Sequence, residues 1–298
     1  MKEKTLISKD GYILHLDIYE AKEPKGYIQI IHGMQEHKER YFKIAKFLEE
    51  NGYTVIVSNI RGHGKDAPIA SFFKEKEGYK YLLSDQIEIT NYICDNYNAD
   101  KVIIMAHSMG TIIARNLLKT ESNKYEKVIL MGYVCPQHFV NLGIFVTNLI
   151  IKIKGPEYTS KIVERYSVNK YNRTIKNAIT KSDWISFNKE NVQNFINDKY
   201  CGIAFTVSAY NDVFHLLNTM VNKNNCKNIN KNISILLLRG EGDPCIGGEK
   251  GSNNSINILR KFGFNNIKDI KYKNMRHEVL NEVNSNTVYN DIINFLNN

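Results

Sequence analysis

VIIMAHSMGTII, at residues 102–113, is the stretch that decides the fold. Its first four residues form an unbroken apolar run, which is typical of a strand covered on both faces of a parallel sheet. The residues that follow, through Ile112 and Leu117, have the spacing of a helix. A serine at the sharp turn between such a strand and such a helix projects its hydroxyl above the edge of the sheet. We therefore predict that Ser108 is a nucleophile.

The residues around Ser108 fit a crowded turn. Small side chains are needed two places before and two places after such a serine, because the strand and the helix approach each other closely there. Ala106 and Gly110 meet this requirement, although alanine replaces the glycine that is usual at the first position. The alternative interpretation of Ser108 is a structural serine in a tight turn.

Strand and helix patterns alternate along most of the chain. Leu14, Leu16 and Ile18 recur at every second position, as in a half-buried hairpin strand. Further strands are predicted at 27–31, 53–58, 102–105, 128–131, 233–238 and 267–272, and helices at 41–48, 89–93, 256–262 and 288–296. This alternation predicts an α/β fold with a doubly wound, mostly parallel sheet.

The alternation lapses between residues 135 and 226, where the pattern is mainly helical. We predict that this range, called the cap segment below, is inserted between two parts of one core, residues 1–134 and 227–298. An apolar helical stripe opens the cap segment and consists of Phe139, Leu142, Gly143, Val146, Ile150 and Ile153. Its uninterrupted apolar length is well short of the ~20 residues that a membrane-spanning helix needs. We expect the stripe to lie on the protein or on a membrane surface.

A nucleophilic serine needs a base that takes its proton and a carboxylate that orients the base. Of the eight histidines, only His138, His215 and His277 follow Ser108, and the first two fall in the cap segment. His277 follows the last predicted strand, from which a loop can reach back to Ser108. We predict His277 as the base, and a surface loop histidine is the alternative.

The acid is expected in the loop after the strand at 233–238, which reads RGEGDP at 239–244. Asp243 is the preferred carboxylate, because Glu241 lies nearer the end of the strand and an Asp-Pro turn suits a fixed acid. Glu241 is the competitor. The structural alternative for Asp243 is a turn-former, as Asp-Pro sequences often are.

Backbone N–H groups complete the predicted site. Ester hydrolysis needs donors for the oxyanion, and each contributes roughly 2.7–4 kcal/mol in the transition state. The N–H of Met109, directly after the nucleophile, is predicted as one donor. The N–H of Met34, in the glycine turn formed with His32 and Gly33, is predicted as the other, and His32 itself is expected to brace this loop. No metal or organic cofactor is expected, because this chemistry needs none.

Composition bears on partners and location. The net charge of +9 would attract the chain to anionic surfaces, but no basic run is interleaved with aromatic residues, so no nucleic-acid partner is expected. Five cysteines without a CxxC pair favour a reducing compartment, and the first residues contain no apolar signal region. We expect a cytoplasmic protein, and peripheral membrane contact through the cap segment stays open. The sequence does not fix the oligomeric state.

Six segments in this order resemble the lysophospholipase and monoacylglycerol lipase group of α/β-hydrolases. They are HGMQEHKERY at 32–41, RGHG at 61–64, AHSMG at 106–110, DKYCGIAFT at 198–206, GEGDP at 240–244 and RHEVLNE at 276–282. The resemblance extends from about residue 10 to the C-terminus. It implies the α/β-hydrolase fold and a serine hydrolase that cleaves the ester of a monoacyl lipid through an acyl-enzyme on Ser108. The chain departs from its relatives around RGHG, where Asn59-Ile60 precedes and Lys65-Asp66 follows the motif.

Other functions remain open at this point. A short-chain carboxylesterase, a thioesterase or an aminopeptidase is compatible with the same serine chemistry, and the aminopeptidase would need an acidic patch in the cap segment. A non-catalytic lipid-binding protein is the alternative from a different class. Of the remaining side chains, Asp212 is expected to cap a helix and Cys245 to be an inert thiol. Head group and acyl chain length are not determined by the sequence.

Overall fold

The computed structural model describes residues 1–298 except His138, Asn225 and Asn228. Its described residues include eight strands that form a single sheet. The strands are β1 (Lys2–Ile7), β2 (Ile13–Tyr19), β3 (Gly26–Ile31), β4 (Tyr53–Ser58), β5 (Val102–His107), β6 (Tyr125–Met131), β7 (Ser234–Gly240) and β8 (Ile267–Tyr272).

The strand order across the sheet is β1-β2-β4-β3-β5-β6-β7-β8. The hairpin of β1 and β2 is antiparallel and joins the sheet through an antiparallel pairing of β2 with β4. All other neighbouring strands are parallel. The predicted α/β fold with a mostly parallel sheet is therefore confirmed.

Helices cover both faces of the sheet. They are α1 (Phe42–Glu50), α2 (Gly78–Tyr97), α3 (Met109–Thr120), α4 (Val140–Lys154), α5 (Lys161–Ser167), α6 (Asn169–Asn172), α7 (Lys189–Asn197), α8 (Val207–Val221), α9 (Gly248–Phe262) and α10 (Ser285–Asn297). Side chains alternate along a strand, so Ile104 of β5 packs with α2, α3, α8 and α9, whereas Ile103 packs with α1 and α10. The central strands are thus buried on both faces, as their apolar runs predict.

Two of the predicted helices begin earlier in the structure, with polar residues. The predicted helix at 256–262 extends back to Gly248 in α9, and the one at 288–296 extends back to Ser285 in α10. The first turns of these helices are GEKGSNNS and SNT, which contain no apolar residue. Hydrophobic periodicity therefore could not indicate these turns.

The large apolar residues at the two ends of the cap segment's stripe do not form the contact between α4 and α8. Phe139 is 79% exposed and Ile153 is 66% exposed. Instead, Gly143 lies against the ring of Phe214 on α8, and the fully buried Thr147 accepts a hydrogen bond from the α8 side chain Asn211 at 2.8 Å. Small residues allow the two helices to approach closely, which leaves the larger apolar side chains free of this contact.

Among the described residues, no helix is both long and apolar enough to cross a membrane.

Candidate active site

Ser108 lies at the junction of β5 and α3, at the carboxyl end of the parallel strands. Its backbone angles are φ 49° and ψ −118°, in a region that non-glycine residues rarely adopt. The Ser108 N–H donates to the carbonyl of Met131 at the end of the neighbouring β6, at 3.0 Å. This neighbouring strand holds the serine in a strained turn, and such strain is often found at functional sites.

Close packing around the turn explains the small residues beside Ser108. A Cβ atom at Gly110 would lie 2.2 Å from the carbonyl oxygen of Ile31, which no real side chain could tolerate. Ala106 is fully buried in the core, so its methyl group is accommodated in place of the usual glycine. The turn therefore requires glycine after the serine and tolerates alanine before it.

Asp243 and His277 are brought together from the loops after β7 and β8. The His277 Nδ1 lies 2.9 Å from Asp243 Oδ2, and both side chains are buried. The other carboxylate oxygen, Oδ1, accepts the N–H of Cys245 at 2.8 Å, which fixes the orientation of the acid. The competing carboxylate, Glu241, is exposed and lies 3.7 Å from the surface Lys271.

The remaining ring nitrogen of His277 is available for chemistry. Its Nε2 is buried and has no hydrogen-bond partner among the described residues. With Nδ1 donating to Asp243, Nε2 is the atom that can accept a proton. Ser108 and His277 line the same cavity. Hydrogen bonds between nucleophile and base are often loose before substrate binds, so the arrangement is compatible with acid–base chemistry.

The two predicted oxyanion donors also line this cavity. The loop that carries Met34 passes close to the nucleophile, because a Cβ at Gly33 would lie 3.0 Å from Ser108 Cβ. The N–H of Gly33 donates to Glu36 at 2.6 Å and is therefore occupied. Met109 is the first residue of α3, where the N–H has no carbonyl partner within the helix.

A buried network of charges that the sequence analysis missed lies behind these residues. Glu36 accepts hydrogen bonds from His107 Nδ1 at 2.8 Å, from Tyr41 at 2.8 Å and from Arg40 at 2.9 Å. Arg40 also donates to both oxygens of Glu278, each at 2.7 Å. His107 directly precedes Ser108, and Glu278 directly follows His277. The network therefore ties the first loop of the site to its nucleophile and its base.

Charge pairing controls protonation in this network. Burial alone would raise the pKa of Glu36, but the charge of His107 and its hydrogen bond outweigh burial and hold that pKa well below its usual value. Burial would lower the pKa of His107, but Glu36 raises it. In the same way, Arg40 outweighs burial and lowers the pKa of Glu278. The pairing therefore favours the charged form of each group, and the opposite charges compensate one another.

The cap segment is fastened to the loop that carries His277. Arg276 donates to the carbonyl of Asp183 at 2.6 Å, and the Glu278 N–H donates to the carbonyl of Ile185 at 2.8 Å. Between these contacts, the indole of Trp184 lies over the imidazole of His277, with 4.7 Å between ring centroids. The only tryptophan of the chain therefore covers the predicted base.

The site opens into a cavity of about 1880 Å³ that has two chemically different sides. The side formed by α3, α4 and α8 is apolar and includes Ile112, Leu142, Val146, Val213, Phe214 and Leu217. The side formed by α6, α9 and the residues before Trp184 is polar and includes Gln137, Lys170, Asn172, Arg173, Lys181, Lys250 and Asn254. An elongated molecule with an apolar part and a polar part matches such a cavity.

Two groups of potential metal ligands occur in the described part of the chain. Asp243, Cys245 and His277 form one, and His37, Asp198 and Cys201 form the other. In the first, the histidine and the carboxylate bind each other. In the second, both ring nitrogens of His37 are engaged by carboxylates, Glu39 at 2.6 Å and Asp198 at 2.8 Å. Both groups are thus satisfied by hydrogen bonds.

Three further side chains that the sequence analysis considered, those of His32, Asp212 and Cys245, are buried. His32 accepts the Ile60 N–H at 2.9 Å through Nε2, and burial lowers its pKa to about 4, in agreement with a bracing role. Asp212 lies inside α8, and its carboxylate adjoins the start of a different helix, α2, because a Cβ at Gly78 would lie 2.3 Å from its Oδ2. Burial raises the pKa of the Cys245 thiol well above its usual value, which keeps it unreactive. His138 lies outside the described residues.

Residues 22–284 match the model of a protein family described as serine aminopeptidase, S33. This match covers most of the chain. The chain belongs to this family. The resemblance to the monoacylglycerol lipase group of α/β-hydrolases is confirmed as well.

Comparison with one relative shows how far the sequence similarity extends. A monoglyceride lipase from Rattus norvegicus is 24% identical over 194 residues, which are 65% of this chain and 58% of that protein. The match thus spans less than two thirds of the relative.

Solved structures share the whole fold. A carboxyl esterase from Bacillus coagulans has a TM-score of 0.90 at 23% identity and covers 99% of this chain and 97% of its own. A monoglyceride lipase from Saccharomyces cerevisiae has a TM-score of 0.74 at 19% identity, with 99% and 94% covered. At these identities the likeness establishes the fold of this S33 member and not its substrate.

Proposed function

We propose that this S33 hydrolase cleaves the carboxylic ester of a monoacyl lipid through an acyl-enzyme on Ser108. The observation that carries the proposal is the hydrogen bond between His277 and Asp243 at the floor of a large cavity with one apolar side. The buried His277 Nε2 has no hydrogen-bond partner among the described residues, so it can take the proton of a nucleophile. Ser108 lines the same cavity.

The reaction proceeds in two steps. Ser108 Oγ attacks the ester carbonyl while His277 Nε2 takes its proton, and the N–H groups of Met34 and Met109 stabilise the oxyanion. The ester bond then breaks, the alcohol leaves with the proton from His277, and the acyl group stays on Ser108. A water molecule that His277 deprotonates attacks the acyl-enzyme, which releases the fatty acid and restores the serine.

The apolar side of the cavity suits the acyl chain. Leu142 and Val146 of α4 line it together with Ile112 of α3 and with Val213 and Leu217 of α8. Burying the methylene groups of an acyl chain there contributes about 0.8 kcal/mol for each CH₂. A long chain would therefore gain affinity that a short acyl group lacks, which favours a lipase over a short-chain carboxylesterase.

An aminopeptidase activity fits the cavity less well, although the family description contains that word. A peptide amine requires a free carboxylate close to the serine. Of the carboxylates among the described lining residues, Glu36 and Glu278 are both paired with Arg40. Glu164 of α5 is the third, and a single carboxylate does not form the acidic patch that such a substrate needs. The surplus of lysine and arginine on the polar side would repel an amine.

Fatty-acid release from monooleoylglycerol and lysophosphatidylcholine, compared with p-nitrophenyl acetate, tests the proposal. Wild type and Ser108→Ala are measured side by side. We expect turnover of a long-chain lipid that Ser108→Ala abolishes without a change in circular dichroism. Turnover of the acetate ester alone would instead make the protein a short-chain carboxylesterase. Equal activity of Ser108→Ala would exclude Ser108 as the nucleophile.

We also propose that the cap segment contacts lipid surfaces, from which such a substrate would enter. Six large apolar side chains on α4 and α5 are at least half exposed, namely Leu142, Phe145, Leu149, Ile153, Ile162 and Tyr166. Basic residues on the same helices are Lys152, Lys154, Lys161 and Arg165. Apolar side chains with neighbouring cations favour the interface of an anionic membrane.

Co-sedimentation with vesicles tests this contact. Vesicles of phosphatidylcholine with phosphatidylglycerol should bind the protein, and the double variant Phe145→Ser, Ile153→Ser should bind roughly tenfold or more weakly. Val283→Ser, which removes a side chain that is 78% exposed outside the cap segment, serves as the matched control. Equal loss of binding in the control, or none in the double variant, would contradict a contact through the cap segment.

A further inference from the structure

The polar side of the cavity contains a lysine without a carboxylate partner. Lys170, at the second position of α6, donates from Nζ to Gln137 Oε1 at 3.0 Å and lies over the ring of Tyr171 at 5.1 Å. No carboxylate among the described residues lies within salt-bridge distance of its Nζ. Burial lowers the pKa of Lys170, which reflects the incomplete solvation of the ammonium.

The surroundings of Lys170 add positive charge and little negative charge. Arg173, Lys181 and Lys250 line the same side of the cavity. The groups that affect the ammonium most closely are the thiols of Cys135 and Cys245, whose raised pKa values keep them neutral. A partly buried ammonium in such a setting is stabilised by an anion that enters from solvent.

The position of Lys170 places its charge on the side of the cavity where the alcohol part of the substrate would lie. Its neighbour Tyr171 contacts Trp184 at 5.2 Å between ring centroids, and Trp184 covers His277 at 4.7 Å. The leaving alcohol must lie beside His277, because that residue returns the proton to it. The polar side therefore adjoins the alcohol part of the ester, while the acyl chain occupies the opposite, apolar side.

We propose that Lys170 binds an anionic group on the alcohol part of the substrate, so that the preferred substrate class is an acyl ester of a phosphorylated alcohol. This inference rests on the proposed function and narrows it. Lysine is a common phosphate-binding residue and acts as a point charge. The alcohol of a neutral monoacylglycerol would leave the ammonium without a counter-charge.

A matched pair of soluble esters tests the proposal. Hexanoyl glycerol 3-phosphate and hexanoylglycerol differ in the phosphate, and at concentrations below micelle formation the charge of a lipid surface plays no part. We expect wild type to have the higher kcat/KM for the phosphorylated ester. In Lys170→Met, the ratio of the two kcat/KM values should fall on the order of tenfold, and Lys170→Arg should restore most of it.

Inhibition gives a second readout that does not depend on turnover of the phosphorylated ester. Glycerol 3-phosphate should inhibit hexanoylglycerol hydrolysis in wild type and about tenfold more weakly in Lys170→Met. Lys43→Met, which removes an exposed lysine of α1 outside the cavity, should behave like wild type.

The two proposals fail in different ways. Hydrolysis of neither ester by wild type would reject the proposed function. Hydrolysis of hexanoylglycerol with an unchanged ratio and unchanged inhibition in Lys170→Met would reject the anionic substrate alone. Equal weakening of inhibition in Lys43→Met would show that net charge, and not Lys170, attracts the phosphate.

Discussion

The indole of Trp184 lies over the imidazole of His277, with 4.7 Å between the ring centroids and 40° between the ring planes. One residue comes from the cap segment and the other from the last loop of the core. In the proposed reaction, His277 takes the proton of Ser108 and becomes a cation against an aromatic face, which is a favourable arrangement. The cap segment thereby stabilises the charged form of the predicted base, in addition to lining the cavity.

Replacement of this ring should slow the reaction. Trp184→Ala is expected to lower kcat roughly 2- to 30-fold, because a cation–π contact contributes about 0.5–2 kcal/mol. Trp184→Phe should retain most of the activity, since an aromatic face remains. Steady-state kinetics on a soluble ester measure the effect, and thermal unfolding shows whether the fold is intact. Full activity in Trp184→Ala would mean that the contact is only packing.

Loss of the central carboxylate of the buried network should destabilise the protein. Glu36→Gln leaves the charges of His107 and Arg40 only partly compensated, and breaking a buried ion pair costs about 3–5 kcal/mol. Urea unfolding measures the change. Glu77→Gln, which removes a surface carboxylate paired with Lys80, is the control and should have little effect. Similar stability of both variants would contradict a structural role for the network.

Gly33 should be intolerant of a side chain. A Cβ there would lie 2.5 Å from Glu36 Oε1 and 3.0 Å from Ser108 Cβ, so the loop with the Met34 N–H would have to move. Loss of one oxyanion donor reduces kcat roughly 100- to 1000-fold, and we expect Gly33→Ala to lose activity on this scale. Gly26→Ala is the control, because its Cβ would meet neighbours at an ordinary 3.4 Å. Comparable kinetics for the two variants would argue against Met34 as a donor.

Stability should depend on pH through Asp212. Burial raises the pKa of this carboxyl group from its usual 3.8 to about 7 in the folded state. The folded protein therefore binds a proton that the unfolded chain releases near pH 4, and the associated stability is lost as the pH rises through about 7. Asp212→Asn removes this dependence.

The difference between Asp212→Asn and wild type is measurable by urea unfolding at several pH values. Between about pH 5 and pH 8, the variant should gain roughly 2–3 kcal/mol relative to wild type. Parallel pH profiles for the two proteins would show that Asp212 is not protonated in this range.

Local patterns in the sequence were sufficient to predict the sheet and to select three of the side chains at the site. Ser108, Asp243 and His277 each follow a predicted strand, and the carboxyl ends of parallel strands meet at one edge of the sheet. Asp243 and His277 are in contact in the structure, while the catalytic roles of all three residues remain predictions.

Contacts between distant residues could not be predicted in this way. Arg40 and Glu278 are 238 positions apart, and no local periodicity relates them. Their motifs, HGMQEHKERY and RHEVLNE, contained the only signal, which was a set of charged residues without an assigned role. The residues through which α4 contacts α8 were only partly predictable, because Gly143 belongs to the predicted stripe whereas the buried Thr147 does not.

The most direct test of the central claim is labelling with a fluorophosphonate, followed by mass spectrometry of the digested protein. The account predicts one adduct on the peptide that contains Ser108, formed by native protein and absent after heat denaturation or in Ser108→Ala. Labelling should also slow markedly in His277→Ala, because the serine then lacks its base. Adduct formation on another residue, or undiminished labelling of Ser108→Ala, would contradict the assignment of Ser108 as the nucleophile.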